Sequence, residues 1–129
     1  MKIGFLGTGH ITSSVIQGIF KSNLRINKIY VSPRNKSISK KLSKKFKKVS
    51  IAKNNQELID LTNWVFLAVT PKVAHKILKT LVFKKNQKII SFISTINIEK
   101  LKKYTRAKKV TRVIPLPFVG INKGPIIIC

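Results

Sequence analysis

Lys2-Ile3-Gly4-Phe5-Leu6-Gly7-Thr8-Gly9-His10-Ile11-Thr12 carries the decisive pattern of the chain. The segment Lys2–Leu6 is mostly apolar and reads as a strand. Two glycines one residue apart follow, and from about His10 to Ser22 the apolar residues Ile11, Val15, Ile16, Ile19 and Phe20 recur at helical spacing. A strand that enters a helix through Gly-x-Gly suits a dinucleotide. The first glycine allows the tight turn, and the second lets backbone approach a pyrophosphate, which sits on the free N–H groups of the helix N-terminus. The third small position of such fingerprints is usually Gly or Ala and is Thr12 here. What makes the motif specific is its context, strand before and helix after. The competing reading is a tight strand–helix turn with no ligand.

A second strand, Lys28–Ser32, ends in Ser32-Pro33-Arg34-Asn35-Lys36. Sites for NAD place an Asp or Glu here, on the ribose hydroxyls. No carboxylate occurs anywhere from Met1 to Gln56. A serine hydroxyl, an amide and a guanidinium fork are instead donors suited to the extra phosphate of NADP. The alternative is that Arg34 and Lys36 are ordinary surface cations of a basic chain.

Working onward, strand-like and helix-like segments alternate. Ser37–Lys48 has a thin apolar stripe on a basic helix, Val49–Ala52 is a short strand, and Asn55–Leu61 a short helix with an Asn suited to cap it. Trp64–Val69 is a strand, with Trp64 and Phe66 read as core, and a proline-started helix runs from Pro71 to about Val82. Lys88–Ile93, Ile98–Tyr104 and Lys109–Ile114 add strand, helix and strand, and Ile126–Ile128 is a last strand-like segment. Such alternation predicts an α/β fold: a Rossmann-type, doubly wound, mainly parallel sheet in a single three-layer domain over residues 1–129. In these sheets ligands bind beyond the carboxyl ends of the strands, so the loop Ala68-Val69-Thr70-Pro71 should pass the cofactor. The chain stops inside an apolar segment, and the expectation is a truncated protein without its second domain.

Composition narrows the function classes. There are 27 basic residues against 3 acidic ones, a net charge of +24. Nucleic-acid binding through the lysine-rich stretch Lys36–Lys48 is the rival reading. However, Arg25, Arg34, Arg106 and Arg112 are the only arginines, and no face clusters arginine with aromatics as base readers do. The expectation is a solvated lysine surface with only non-specific attraction to polyanions. No apolar run approaches the ~18–20 residues needed to span a bilayer, and Cys129 is the single cysteine, so a soluble cytoplasmic protein is expected. His10, His75 and Cys129 offer no metal-ligand spacing. His10 should border the cofactor, and His75 should be solvated. Glu57, Asp60 and Glu99 lie in helical segments away from the glycine-rich turn, and no catalytic residue is assigned.

Taken together, Gly4–Gly18 (GFLGTGHITSSVIQG), Phe66–Pro71 (FLAVTP), Ser91–Leu101 (SFISTINIEKL) and Arg112–Pro117 (RVIPLP) resemble the N-terminal domain of pyrroline-5-carboxylate reductases. The resemblance implies an NADP-dependent oxidoreductase that transfers hydride from NADPH to a cyclic imine in proline biosynthesis, here as its cofactor-binding portion. It implies pyrophosphate contacts from Leu6, Gly7, Thr8, Gly9, His10 and Ile11, and 2′-phosphate contacts from Ser32, Arg34 and Asn35. Asn55 would line the adenine side, and Ala68, Val69, Thr70 and Pro71 the nicotinamide ribose. It also implies a helical dimerisation domain that completes the imine site, as a homo-oligomer or through a separate helical partner. This chain departs from the family at Thr70, where Lys is usual, at Ser94-Thr95, where Ala-Gly is usual, and at Ile114-Pro115-Leu116, where Met-Pro-Asn is usual. A non-catalytic NADP-binding or interaction module is the third reading.

Overall fold

Strands rich in apolar residues, whose side chains alternate between faces, build one sheet with helices on both sides. The computed structural model describes residues 1–115 and 126–128. In chain order the elements are β1 (Lys2–Leu6), α1 (His10–Lys21), β2 (Lys28–Val31), α2 (Lys36–Lys45), β3 (Val49–Ile51) and α3 (Asn55–Leu61). They continue with β4 (Trp64–Leu67), α4 (Pro71–Ile77), β5 (Lys88–Ser91), α5 (Ile98–Thr105), β6 (Lys109–Pro115) and β7 (Ile126–Ile128). The sheet order is β3-β2-β1-β4-β5-β6-β7. The first six strands are parallel, and β7 pairs antiparallel with β6. The order reverses between β1 and β4, where Leu6 lies beside Leu67, so the switch point falls at the end of the first strand.

The two cores follow from the period-two alternation. Ile3 and Phe5 share one face with Ile29, Val31 and Val49, packed with Ile16 of α1 and Leu42 of α2. Leu6, Val65, Leu67 and Ile89 face the other side, with Leu58 and Ile59 of α3, Ala74 of α4 and Leu101 of α5. This is the three-layer, doubly wound Rossmann arrangement. Gly4 lets α3 close on the sheet, since a Cβ there would collide with Leu58 Cδ2. On the first face Phe5 stacks on Phe66 at 4.6 Å and Phe66 meets Phe92 at 5.5 Å, an aromatic row from β1 across β4 to the residue just past β5.

Several elements end earlier than periodicity predicts, for local reasons. Helix α2 stops at Lys45 because Phe46 turns to extended backbone and stacks on Phe20, 4.4 Å away. Helix α4 ends at Ile77, not near Val82. The Gln56 side chain captures both backbone groups of Val82, donating to its carbonyl at 2.8 Å and accepting from its N–H at 2.9 Å, which holds that residue off the helix. Strand β5 ends at Ser91, whose hydroxyl accepts from Ile93 N–H at 3.1 Å. His75 also differs from expectation. It is half-buried, and its Nδ1 shares a 2.7 Å hydrogen bond with the Tyr104 hydroxyl, because α4 and α5 lie side by side on one face. Leu116 and Cys129 lie outside the described residues, as do Pro117, Gly120, Gly124 and Pro125. No helix among the described residues is long and apolar enough to cross a membrane.

The packing of α3 on β1 sets the first stability test. Leu58 is fully buried against Gly4, so shortening its side chain leaves a cavity between α3 and the sheet. Leu58→Ala should cost about 2–5 kcal/mol, measured by urea denaturation with an unchanged m-value.

Candidate functional site

Everything at the carboxyl edge of the sheet is arranged around the turn after β1. Gly7 has φ +98°, a left-handed conformation that side chains rarely adopt, and a Cβ there would strike the Ala68 carbonyl. That closeness comes from the β1–β4 pairing, which continues past Leu67 as a 2.7 Å hydrogen bond from Ala68 N–H to the Leu6 carbonyl. Three hydroxyls lock the turn. Gly7 N–H donates to Ser32 Oγ at 3.2 Å, and Thr8 Oγ1 donates to the Ser32 carbonyl at 3.1 Å while lying 3.0 Å from Ser32 Oγ. Thr12 Oγ1 donates to the Gly7 carbonyl at 2.8 Å, so the residue at the third small position is buried and tied back to the turn.

Helix ends distinguish this edge further. Helices α3, α4 and α5 have side-chain caps: Asn54 accepts from Glu57 N–H, Thr70 from Val73 N–H and Asn97 from Lys100 N–H. Helices α1 and α2 have none. Gly9 and Asn35 occupy their N-cap positions without a side-chain hydrogen bond, and neither first turn contains an acid. Unfilled N–H groups and an uncompensated helix dipole favour an anion at both ends.

The two N-caps border one groove of about 290 Å³, lined by Gly7, Thr8, Gly9, Arg34, Asn35, Ala68, Val69, Thr70 and Val73. A second hollow of about 250 Å³ shares Ala68, Val69 and Thr70 and adds Ile11, Phe92 and Ile114. Gly9 has nothing within 4 Å of where a Cβ would stand. Among the described residues no carboxylate lines either hollow.

The structure thus gathers Gly7, Thr8, Gly9, Ile11, Arg34, Asn35, Ala68, Val69 and Thr70 along the two hollows. Leu6 is fully buried, and its carbonyl is committed to Ala68. Ser32, 1% exposed, stands behind the turn with its hydroxyl engaged by Gly7 and Thr8. His10 and Pro71 are exposed first residues of α1 and α4 and line neither hollow. Asn55 is the half-buried first residue of α3, outside both hollows, and the cap of that helix is Asn54. Val73 and Phe92 line the hollows and were not singled out from sequence. Their signal was position alone, just beyond the carboxyl ends of β4 and β5. Among the described residues no group of three or more His, Cys, Asp and Glu could hold a metal ion.

Known proteins share this architecture. A family model described as NADP oxidoreductase coenzyme F420-dependent matches residues 2–98. Pyrroline-5-carboxylate reductase 2 of Bacillus subtilis is 29% identical over 126 residues, covering 95% of this chain and 45% of its own length. The crystal structure of 1-pyrroline-5-carboxylate reductase from Streptococcus pyogenes superposes with a TM-score of 0.75 at 28% identity, over 91% of this chain and 43% of the other. That of Plasmodium falciparum pyrroline carboxylate reductase with NADP bound gives 0.81 at 24% identity, over 100% and 47%. The chain spans less than half the length of these proteins.

The two glycines of the turn should separate fold from binding. Gly7→Ala meets both the positive φ and the Ala68 carbonyl, and should cost on the order of 1–3 kcal/mol of stability or more. Gly9→Val projects into open space and should leave thermal unfolding nearly unchanged while abolishing dinucleotide binding. Parallel melting curves and dinucleotide titrations check this pair. Near-normal affinity in Gly9→Val would remove the phosphate site from this turn.

Proposed function

Since the chain belongs to the family described as NADP oxidoreductase coenzyme F420-dependent, we propose that it holds NADP(H) in the groove above the β1–β4 switch point, as the cofactor-binding part of a reductase. The observation that carries this reading is the pairing of two uncapped helix N-termini with Arg34 on a groove that no carboxylate lines. The N-terminus of α1 with Gly7, Thr8 and Gly9 would hold the pyrophosphate. Arg34, Asn35 and the free N–H groups of α2 would hold the 2′-phosphate, with Ser32 fixing the turn from behind. A buried acid at the end of β2, the group that would select NAD, has no counterpart here.

Ala68, Val69 and Thr70 connect this groove to the hollow of Ile11, Phe92 and Ile114, which suits the uncharged nicotinamide half. When bound, the reduced nicotinamide supplies a hydride, and the protein's part is to orient it and exclude water. For the whole protein we propose reduction of a cyclic imine of the pyrroline-5-carboxylate type. This rests on the Bacillus and Streptococcus relatives and on the motif order from Gly4 to Pro117. We propose further that the imine site is completed by a helical domain or partner subunit.

Isothermal titration of the purified chain should give tighter binding of NADPH than of NADH. Arg34→Ala should remove about 1.5–3 kcal/mol of that preference, the range for hydrogen bonds to charged groups. With a net charge of +24, the titrations are run at low and high salt, because screening removes diffuse phosphate attraction and leaves the contacts at Arg34. Equal affinities for the two coenzymes would overturn the assignment.

A further inference from the structure

A third hollow, of about 490 Å³, is not at the carboxyl edge. It lies at the other end of the sheet, where α4 and α5 finish and the chain turns into β5 and β6. Lys79, Lys85, Lys103 and Arg106 line it together with apolar Leu81, Val82 and Tyr104, and among the described residues no carboxylate does. A basic chain places lysines on many surfaces, so the case for a site rests on how these walls are built.

One wall is the stretch from Leu81 to Lys85. Gln56 clamps the backbone of Val82 from both sides, which presents an apolar side chain 72% exposed at the lip of the groove. Gln87, buried, braces the same stretch by accepting from Lys84 N–H at 2.8 Å and donating to the carbonyls of Ile59 and Thr62. Lys84 is drawn away to the carbonyl of Asp60, whereas Lys85 lines the groove. The opposite wall is the end of α5, where Tyr104 is held by His75.

Arg106 closes that helix at φ +56°, the position where glycine is the usual residue. An arginine here accepts a backbone cost that glycine would avoid. The dipole of α5 accounts for cations at its C-terminus. It does not account for Lys79 and Lys85 on the facing side, or for an exposed valine fixed between them.

We propose that this groove binds a small organic anion with an apolar body, of the aromatic carboxylate class. Lys103 and Arg106 would take the carboxylate, and Val82, Leu81 and Tyr104 the apolar part. Its volume falls within the ~300–1,000 Å³ of small-molecule clefts. The site stands at the opposite sheet end from the coenzyme groove and does not depend on it.

The probe is 1-naphthoate, titrated by calorimetry at about 0.15 M NaCl, where charges beyond ~8 Å are largely screened. Binding of one equivalent is expected, about tenfold tighter than for neutral 1-naphthalenemethanol or for inorganic phosphate, as one charge-assisted hydrogen bond would give. Arg106→Gly suits the local backbone, so its melting temperature should not fall, while naphthoate affinity drops about tenfold. Val82→Asp should weaken binding comparably, and Lys103→Gln provides a second charge-removing variant should Arg106→Gly fold poorly. Lys40→Gln with Lys44→Gln on α2 should leave affinity unchanged. The proposal is overturned by multiple weak equivalents, by affinity equal to that for phosphate, by retained affinity in the folded groove variants, or by equal loss in the α2 pair.

Discussion

The contact on which the site depends is the near-touch of Gly7 and the Ala68 carbonyl across the ends of β1 and β4. Parallel pairing brings the two strand ends together, and the reversal of strand order sends the following segments apart, which opens a cleft between them. A side chain at Gly7 would reopen the strands, and a negative φ would turn the chain away from α1. Ser32 then carries the constraint to β2, because its buried hydroxyl takes the Gly7 N–H and pairs with Thr8. Strand pairing, turn and the approach to the groove are therefore one unit. Gly9, two residues on, answers to none of this, and its missing side chain matters only to what lies outside the protein.

Charge is distributed with the same economy. Of three acids in the chain, Glu57 accepts the Lys53 N–H at the start of α3, Asp60 accepts from the Gln56 side chain, and Glu99 occupies the first turn of α5. Asn54, Thr70 and Asn97 complete the caps of α3, α4 and α5. The helices left without a cap are the two whose N-termini meet at the groove. A dianionic or trianionic ligand would serve as the cap for both. Many lysines elsewhere raise the background attraction for any polyanion, so the proposed discrimination between coenzymes would rest on the directed contacts of Arg34 and the backbone N–H groups.

Much of this was legible in the residues. The Gly7-Thr8-Gly9 turn marked the passage from the first strand to its helix, and the alternation of strand-like and helix-like segments gave the layers. What remained hidden were interactions between segments far apart in sequence. Nothing near Val82 announces that Gln56 will capture its backbone, so α4 looked longer than it is. His75 among lysines looked solvated, since its partner Tyr104 is 29 residues away. Ser32 was legible as a donor near a phosphate, but not as a residue facing inward, because its burial depends on how β1 and β2 end together. Leu116, one of the departures from the family pattern, lies outside the described structure.

The aromatic row gives the proposed nicotinamide side its stiffness. Phe92 lines the hollow beside Ile11 and Ile114, and behind it Phe66 and then fully buried Phe5 extend the row into the core under α1. A wall anchored in this way resists displacement, since moving Phe92 means disturbing the packing of Phe66 on β4 and, through it, Phe5 on β1. Hydride transfer depends on holding two reacting carbons within a few tenths of an ångström of a near-attack arrangement, an effect worth ~7–11 kcal/mol. The proposed phosphate end is a turn held by the hydroxyls of Ser32, Thr8 and Thr12, and at the other end Phe92 packs on Phe66, which stacks on Phe5. A dinucleotide fixed at both ends has little freedom left at its reactive ring, and the remaining freedom belongs to the substrate. If the whole protein reduces an imine as proposed, specificity would be set by groups placed against that ring, while Ile11, Phe92 and Ile114 would determine where the ring is presented.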